Sequence, residues 1–256
     1  MPRILTLDRV SYSYAPGQSP PLFADLSFGL EEGEFVSLVG ASGSGKSTLF
    51  KLIAGLAEPD GGTIHIGGSG SPAARRGGRL GQVGYMPQKD LLLPWRTVLE
   101  NCLLPARLAA NAGSAYSPDR VRRLLSRFGL EGAADAYPDE LSGGMRQRAA
   151  FLRTVATGRS LLLLDEPFGA LDAITKQDMH RWLLSLWEEL GVTVLFITHD
   201  LEEALLLSDR ICVMPSLPGG GLAEYPIDLP RPRTPSTRFD PAFIKLRQEL
   251  EGRLPS

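Results

Sequence analysis

The sequence predicts an α/β fold built on a mainly parallel sheet, and three observations carry the prediction. A glycine-rich loop, GASGSGKST at Gly40 to Thr48, stands between the apolar run EFVSLVG and the helix-periodic STLFKLIAGL. LLLLD at 161–165 and VTVLFITHD at 192–200 are continuous apolar runs with polar ends, as strands buried on both faces are. Helical patterns separate these runs, and strands alternating with helices give a largely parallel sheet.

Taken in order, residues 3–10 and 22–30 alternate apolar and polar side chains and read as antiparallel strands. Residues 34–39 form the strand into the glycine-rich loop, and 47–56 the helix after it. Gly61-Gly62 with TIHIGG reads as a turn and a further strand. Residues 67–81, GGSGSPAARRGGRLG, read as a mobile, solvated loop whose arginines alone make no nucleic-acid site. Residues 96–156 read as mostly helical, with loop signals from Asn111 to Pro118. ITKQDMHRWLLSLWEELG, from Ile174, has helical spacing and stops at Gly191. Trp182 and Trp187 on it read as packing residues. LEEALLLSDR is a short helix, 214–241 an irregular Pro/Gly-rich surface segment, and DPAFIKLRQELEGRL a final amphipathic helix. The division expected is a unit at 1–240, with a helical subdomain at about 89–156 inserted, and a tail at 241–256. No internal repeat is visible.

Bulk properties narrow the classes. The chain has 256 residues, room for one large domain or a core with a subdomain. A net charge of -2 provides no strong field toward nucleic acid or an anionic membrane. Cys102 and Cys212 lie far apart, without metal-ligand spacing, which fits a reducing compartment. The start, MPRILTLDRV, has no apolar signal core, and no apolar run approaches the roughly 18 residues that span a bilayer. The chain is therefore expected to be soluble by itself, with any membrane role coming through a partner.

Gly40, Gly45, Lys46 and Ser47 fit G-x-x-x-x-G-K-[ST], in the strand–loop–helix context that this phosphate loop requires. Glycines let successive N–H groups turn inward toward phosphate oxygens, and the following helix N-terminus adds its dipole. Lys46 would reach the β- and γ-phosphates and Ser47 would ligate Mg2+. Asp165 and Glu166 follow four leucines, at the strand end where such sheets bind ligands. Asp165 would hold Mg2+, directly or through water, and Glu166 would orient and polarise the attacking water.

With these residues in place, the chain resembles an ATP-binding cassette (ABC) ATPase, the nucleotide-binding subunit of an ABC transporter. The resemblance covers almost the whole chain, with the family motifs in family order, and LSGGMRQR at 141–148 resembles the family signature. It implies a RecA-like P-loop NTPase core, an N-terminal antiparallel β subdomain and an inserted α-helical subdomain. It implies ATP and Mg2+ bound by the loop residues Gly40, Ala41, Ser42, Gly43, Ser44, Gly45, Lys46, Ser47 and Thr48. Ser142, Gly143 and Gly144 are then expected at the γ-phosphate held by a second subunit; a hydroxyl and glycine N–H groups opening a helix make an anion site. Gln88 in MPQKD matches the glutamine that contacts Mg2+ and water and senses the membrane subunit. Asp172 in GALD matches the loop that crosses the dimer interface. His199 in ITHD matches the switch histidine that contacts the γ-phosphate and positions water with Glu166. Tyr14 in VSYSY matches the aromatic that stacks on adenine; Tyr12 competes, strand alternation points both the same way, and Tyr14 is favoured. His65 and His180 have no such context and read as structural or exposed.

The motifs imply two ATP molecules sandwiched between two cassettes paired head to tail, a homodimer being expected, that closes on ATP and opens after hydrolysis. KDLLLPWRTVLENCLLP and RPRTPSTRFDPAFIKLRQEL resemble the nitrate, sulfonate and taurine importer ATPases, and importers of thiamine-pyrimidine precursors share this style. The chain ends soon after the cassette, with no room for the β-barrel regulatory domain of sugar-type importer ATPases. The final helix reads equally as a dimer contact or a surface helix. The resemblance implies a membrane-spanning permease, a solute-binding protein acting indirectly, no nucleic acid, and a place on the cytoplasmic face of the inner or plasma membrane. The alternatives are an exporter or lipoprotein-release ATPase, against which the importer-like tail speaks, and a non-transport cassette acting on DNA or ribosomes. No sustained heptads lie between Gln88 and Ser142, and there is one cassette, which speaks against the latter. The solute is not written in this subunit.

Overall fold

β3 (Phe35–Val39) is buried at every residue and lies inside a six-stranded sheet of order β5–β6–β7–β3–β8–β9. The computed structural model describes residues 2–15, 20–67, 78–108, 117–169, 171–215 and 221–253. β5 (Gly84–Met86), β6 (Leu161–Asp165), β7 (Thr193–Ile197) and β8 (Arg210–Val213) are parallel, and β9 (Ala223–Pro226) joins β8 antiparallel. Pro226 is tolerated because β9 is an edge strand.

Successive residues of a strand face opposite ways, and β6 shows why its run is apolar throughout. Leu161 and Leu163 join one core cluster, while Leu162 and Leu164 join another. The first cluster is closed by α1 (Lys46–Ile53) and by a three-stranded antiparallel sheet of order β2–β1–β4. Those strands are β1 (Arg3–Tyr12), β2 (Phe23–Glu31) and β4 (Gly61–Ile66). Leu49, Phe50, Leu52 and Ile53 of α1 are fully buried because the helix is sandwiched between the two sheets.

The second cluster is closed by α4 (Gly143–Val155) and α5 (Ala173–Leu190), with α2 (Val98–Leu108) and α3 (Pro118–Arg127) packed beyond α4. Trp182 stands edge-on to Phe128 and Phe151, at 4.0 and 5.0 Å between ring centres, and Trp187 edge-on to Phe35 at 5.9 Å. Both tryptophans are packing residues, as their helical spacing indicates.

Several expectations change. The strand β5 had no sequence prediction; three residues are too few to show a period. The helix read over LEEALLLSDR is α6 (Leu201–Leu207), which stops at Ser208, and the chain enters β8 two residues later. Within 214–241, read as irregular surface, lie β9 and a buried core made by Ile227, Leu229 and Arg233. Arg233 donates to the carbonyls of Leu205, Ser208, Ile227 and Leu229, which no local pattern announces. Residues 68–77 of the Gly/Ser/Arg stretch and 109–116 around Asn111 lie outside the described residues. Arg79, from the same stretch, is not solvated: it donates to the Leu52 and Ala57 carbonyls and pairs with Glu58 at 2.8 Å. The final helix, α7 (Pro241–Glu251), buries Phe243 and Leu250 beside Leu201 and Leu205 of α6, and its Arg247 pairs with Glu202 at 2.5 Å.

Candidate functional site

The glycine-rich loop leaves the C-terminal end of β3 and turns directly into α1. Gly45 makes the turn at φ 95°, in the left-handed region, and a Cβ there would stand 2.8 Å from the Phe23 ring. Lys46 Nζ donates to the Gly40 and Ala41 carbonyls at 2.8 Å each and lies 3.4 Å from Ser44 Oγ. Its ammonium is lowered from the ordinary range, chiefly by burial, with Glu166 and Asp165 opposing.

β6 delivers the carboxylates. Asp165 ends the strand, is 4% exposed, and accepts a hydrogen bond from Ser47 Oγ at 3.2 Å. Burial raises its carboxyl above the usual range, against the Ser47 hydrogen bond and the Lys46 charge. Glu166 follows at φ 45°, a conformation that costs a residue with a Cβ roughly 1–2 kcal/mol. Backbone bonds hold the turn: Glu166 N donates to Ile197 O at 3.0 Å and Gly169 N to Glu166 O at 3.2 Å. Gln147 of α4 adds a bond to the Pro167 carbonyl. That residue lies inside LSGGMRQR, yet its hold on Pro167 is a tertiary contact that spacing does not reveal.

Two further side chains converge on Glu166. Gln88, just after β5, donates through Nε2 to Glu166 Oε2 at 3.0 Å. His199, between β7 and α6, brings Nδ1 to 3.5 Å from the same oxygen and is 66% exposed. These groups border an open cleft of about 440 Å³ with Ser42, Gly43, Thr48 and Tyr14. Tyr14 lies beyond the end of β1, so strand alternation does not govern it. It shares a hydrogen bond with Thr48 and is 70% exposed, whereas Tyr12 packs edge-on against it at 5.5 Å and does not line the cleft.

Ser142, Gly143, Gly144 and Asp172 do not line this cleft. They form a second group. Ser142 caps α4, accepting from Met145 N at 3.3 Å. Asp172 caps α5, accepting from Ile174 N and Thr175 N at 3.1 Å and from Thr175 Oγ1 at 2.6 Å. These hydrogen bonds, first among them that of the Thr175 hydroxyl, hold its carboxyl below the usual range. Thr175 joins the two caps: a Cβ on Gly144 would stand 3.0 Å from Thr175 Cγ2. The chain thus carries an anion-suited loop with flanking carboxylates on one side and two exposed helix N-termini on another.

The donors fit a small hard cation. Ser47 Oγ and Asp165 Oδ1 are adjacent oxygens at the edge of the phosphate loop. Among the described residues no cluster of three or more His, Cys, Asp or Glu could hold a metal alone.

The chain is similar to known proteins over most of its length. Residues 23–169 match the family described as ABC transporter. The formylaminopyrimidine import ATP-binding protein ThiZ of Halalkalibacterium halodurans is 44% identical over 253 residues, 98% of this chain and 96% of its own length. The nitrate import ATP-binding protein NrtD of Synechocystis is 41% identical over 238 residues, 90% of this chain and 86% of its own. The taurine import ATP-binding protein TauB of Escherichia coli is 38% identical over 253 residues, 96% of each. Among solved structures, the dimeric ABC transporter cassette MJ0796 is similar at a TM-score of 0.72 and 31% identity, covering 88% of this chain and 99% of that one. A dimeric post-hydrolysis state of that cassette, bound to ADP and Pi, is similar to the same degree.

Proposed function

The chain belongs to the ABC transporter family, and from that membership we propose that it is the ATP-hydrolysing subunit of a binding-protein-dependent importer for a small solute. The observation that carries the reading is the convergence of Gln88 and His199 on Glu166 Oε2, beside Lys46, Ser47 and Asp165. That arrangement can hold a triphosphate and a water in line with it.

In this reading Lys46 exchanges its bonds to the Gly40 and Ala41 carbonyls for β- and γ-phosphate oxygens. The loop N–H groups and the α1 N-terminus cradle the remaining phosphate charge. Ser47 and Asp165 would hold Mg2+ with Gln88 beside them, and the bound cation would neutralise charge on the phosphates. Glu166 accepts a hydrogen bond from the attacking water and turns its lone pair toward the γ-phosphate. His199, 3.5 Å from Glu166 Oε2, donates to the γ-phosphate. Tyr14 offers its ring to the adenine.

One chain leaves the γ-phosphate side of the cleft open, and the second group of residues completes it. Ser142 and Gly144 of a second copy, presented at the start of α4, meet the γ-phosphate, with Asp172 crossing the interface. The dimeric state of the similar cassette supports that pairing. Because the phosphate touches both copies, ATP favours the closed pair and hydrolysis releases it. No helix among the described residues is long and apolar enough to cross a membrane. Transport then requires a membrane-spanning permease, which would hold this subunit on the cytoplasmic face, with a solute-binding protein acting through it.

The related proteins import formylaminopyrimidine, nitrate and taurine, so a small polar solute is the class proposed here. Co-purification from the native membrane tests this. A multi-span permease, with ATP turnover raised by a solute-loaded binding protein, is the expected result. Recovery only with nucleic acid or ribosomes would overturn the transport reading while leaving the ATP site intact.

A further inference from the structure

Beneath His199 lies a charged cluster that the reaction scheme above does not use. Glu203, on α6, is 4% exposed. Its Oε1 lies 2.6 Å from His180 Nε2 and 3.4 Å from Lys176 Nζ, both on α5. Its Oε2 accepts a hydrogen bond from Thr198. Lys176 Nζ also donates to Asp200 Oδ2 at 2.8 Å, and Asp200 N donates to Thr198 Oγ1 at 3.0 Å. Glu203 N closes the set by donating to Asp200 Oδ1 at 3.2 Å.

Thr198 and Asp200 are the two residues flanking His199. Each is bonded to Glu203, and Glu203 and Asp200 are anchored to α5 by Lys176 and His180. The His199 side chain is mostly exposed and meets Glu166 only at 3.5 Å. Its own packing therefore does little to fix it; the backbone on either side does. The far connection matters as well. α5 begins at its cap, Asp172, four residues before Lys176, so one rigid helix joins the Asp172 turn to the His199 loop.

We propose that Lys176, His180 and Glu203 are positioning residues for His199, a part-buried tie through which the Asp172 end of α5 sets the placement of the histidine. This rests on the reading of His199 and Glu166 given above. A charge cluster around one buried carboxylate is not needed to stabilise a core, since apolar groups of similar volume often serve as well or better. What it supplies is direction, because each hydrogen bond fixes an angle as well as a distance. Electrostatics favour an intact tie. Burial by itself would lower the Lys176 ammonium, yet the Asp200 hydrogen bond and the Glu203 charge outweigh it and raise it.

The test is kinetic, on the full chain in the complex purified from its membrane, with the single variants K176M, K176R and H199A and the double K176M/H199A. K176M is expected to lower kcat about tenfold while leaving the KM for ATP within about twofold, as a misplaced group does. K176R is expected to restore most of the rate. In the H199A background K176M is expected to have no further effect, because its influence passes through the histidine. Wild-type kcat in K176M overturns the proposal. So does an equal loss in both backgrounds, or a fall in ATP affinity matching the fall in rate, each of which marks a general structural role. Should K176M not fold, E203Q carries the same expectations, since the amide keeps the shape and the acceptor for Thr198. The underlying reading fails separately: H199A with normal turnover removes the role of His199, whereas a slow H199A beside a normal K176M removes only the tie.

Discussion

Gln88 Nε2 donates to Glu166 Oε2 at 3.0 Å, joining residues 78 apart in sequence across the mouth of the cleft. The bond leaves Glu166 pointing at the loop that carries Lys46, with His199 on its other flank. Replacing the carboxylate by an amide keeps the shape and removes the base. Glu166→Gln is expected to lower kcat by about 10²–10⁴-fold, the range of a general base, with ATP affinity retained. Gel filtration with and without ATP should show the variant accumulating as a dimer. Normal turnover in it would remove Glu166 as the base.

Burial disfavours the charged form of Asp165 in the folded chain. Burial lifts its carboxyl above the usual range, so the ionised form is favoured less in the folded state than in the unfolded one. The stability present below the unfolded pKa of about 3.9 is lost as pH rises through the raised folded value. Asp165→Asn is therefore expected to raise the nucleotide-free Tm at pH 7 by about 2–4 °C. The gain should shrink below pH 4, and the variant should lose the extra stabilisation that Mg-ATP gives the parent. A fall in Tm at pH 7 would contradict this account.

Ser142 has two separable parts. As the cap of α4 it accepts from Met145 N, and Ser142→Ala should lower stability by about 1 kcal/mol by urea titration. As a phosphate contact for a second copy it needs a neutral donor. Ser142→Asp keeps a capping oxygen but faces the phosphate with a negative charge. Near-parental stability is expected for it, with ATP-dependent dimerisation lost. Dimerisation intact in Ser142→Asp would place the γ-phosphate elsewhere.

Arg233 is 5% exposed and bonded to carbonyls at the end of α6 and along 227–229, with no salt bridge to a carboxylate among the described residues. Burial, helped by the nearby Arg231 charge, lowers its guanidinium to about 10. Arg233→Met removes those donors and leaves the carbonyls without them, so a loss of about 2–4 kcal/mol is expected in urea titration. An unchanged midpoint would show the segment to be held by Ile227, Leu229 and Phe243 alone.

The phosphate loop and the strand ends at Asp165 and His199 were legible because local rules produce each of them, whereas the capping hydrogen bonds of Ser142 and Asp172 came only with the structure. Glycine spacing and continuous apolar runs need no distant partner to be recognised. β5, β9 and the Arg233 core were not legible. Three- and four-residue strands have no period to read, and an arginine in a Pro-rich segment looks solvated until its carbonyl partners are known.

The sequence by itself determined the alternation of strands and helices, the phosphate loop, and which residue types stand at each strand end, because these follow from backbone periodicity and local hydrogen bonding. Only the tertiary structure decided that Gln88 and His199 meet at one oxygen of Glu166. It alone put Tyr14 rather than Tyr12 at the cleft, and tied the His199 loop through Glu203 to α5. Those relationships depend on strand order and on side chains of separate elements packing at close range, and neither is encoded in the spacing of neighbouring residues.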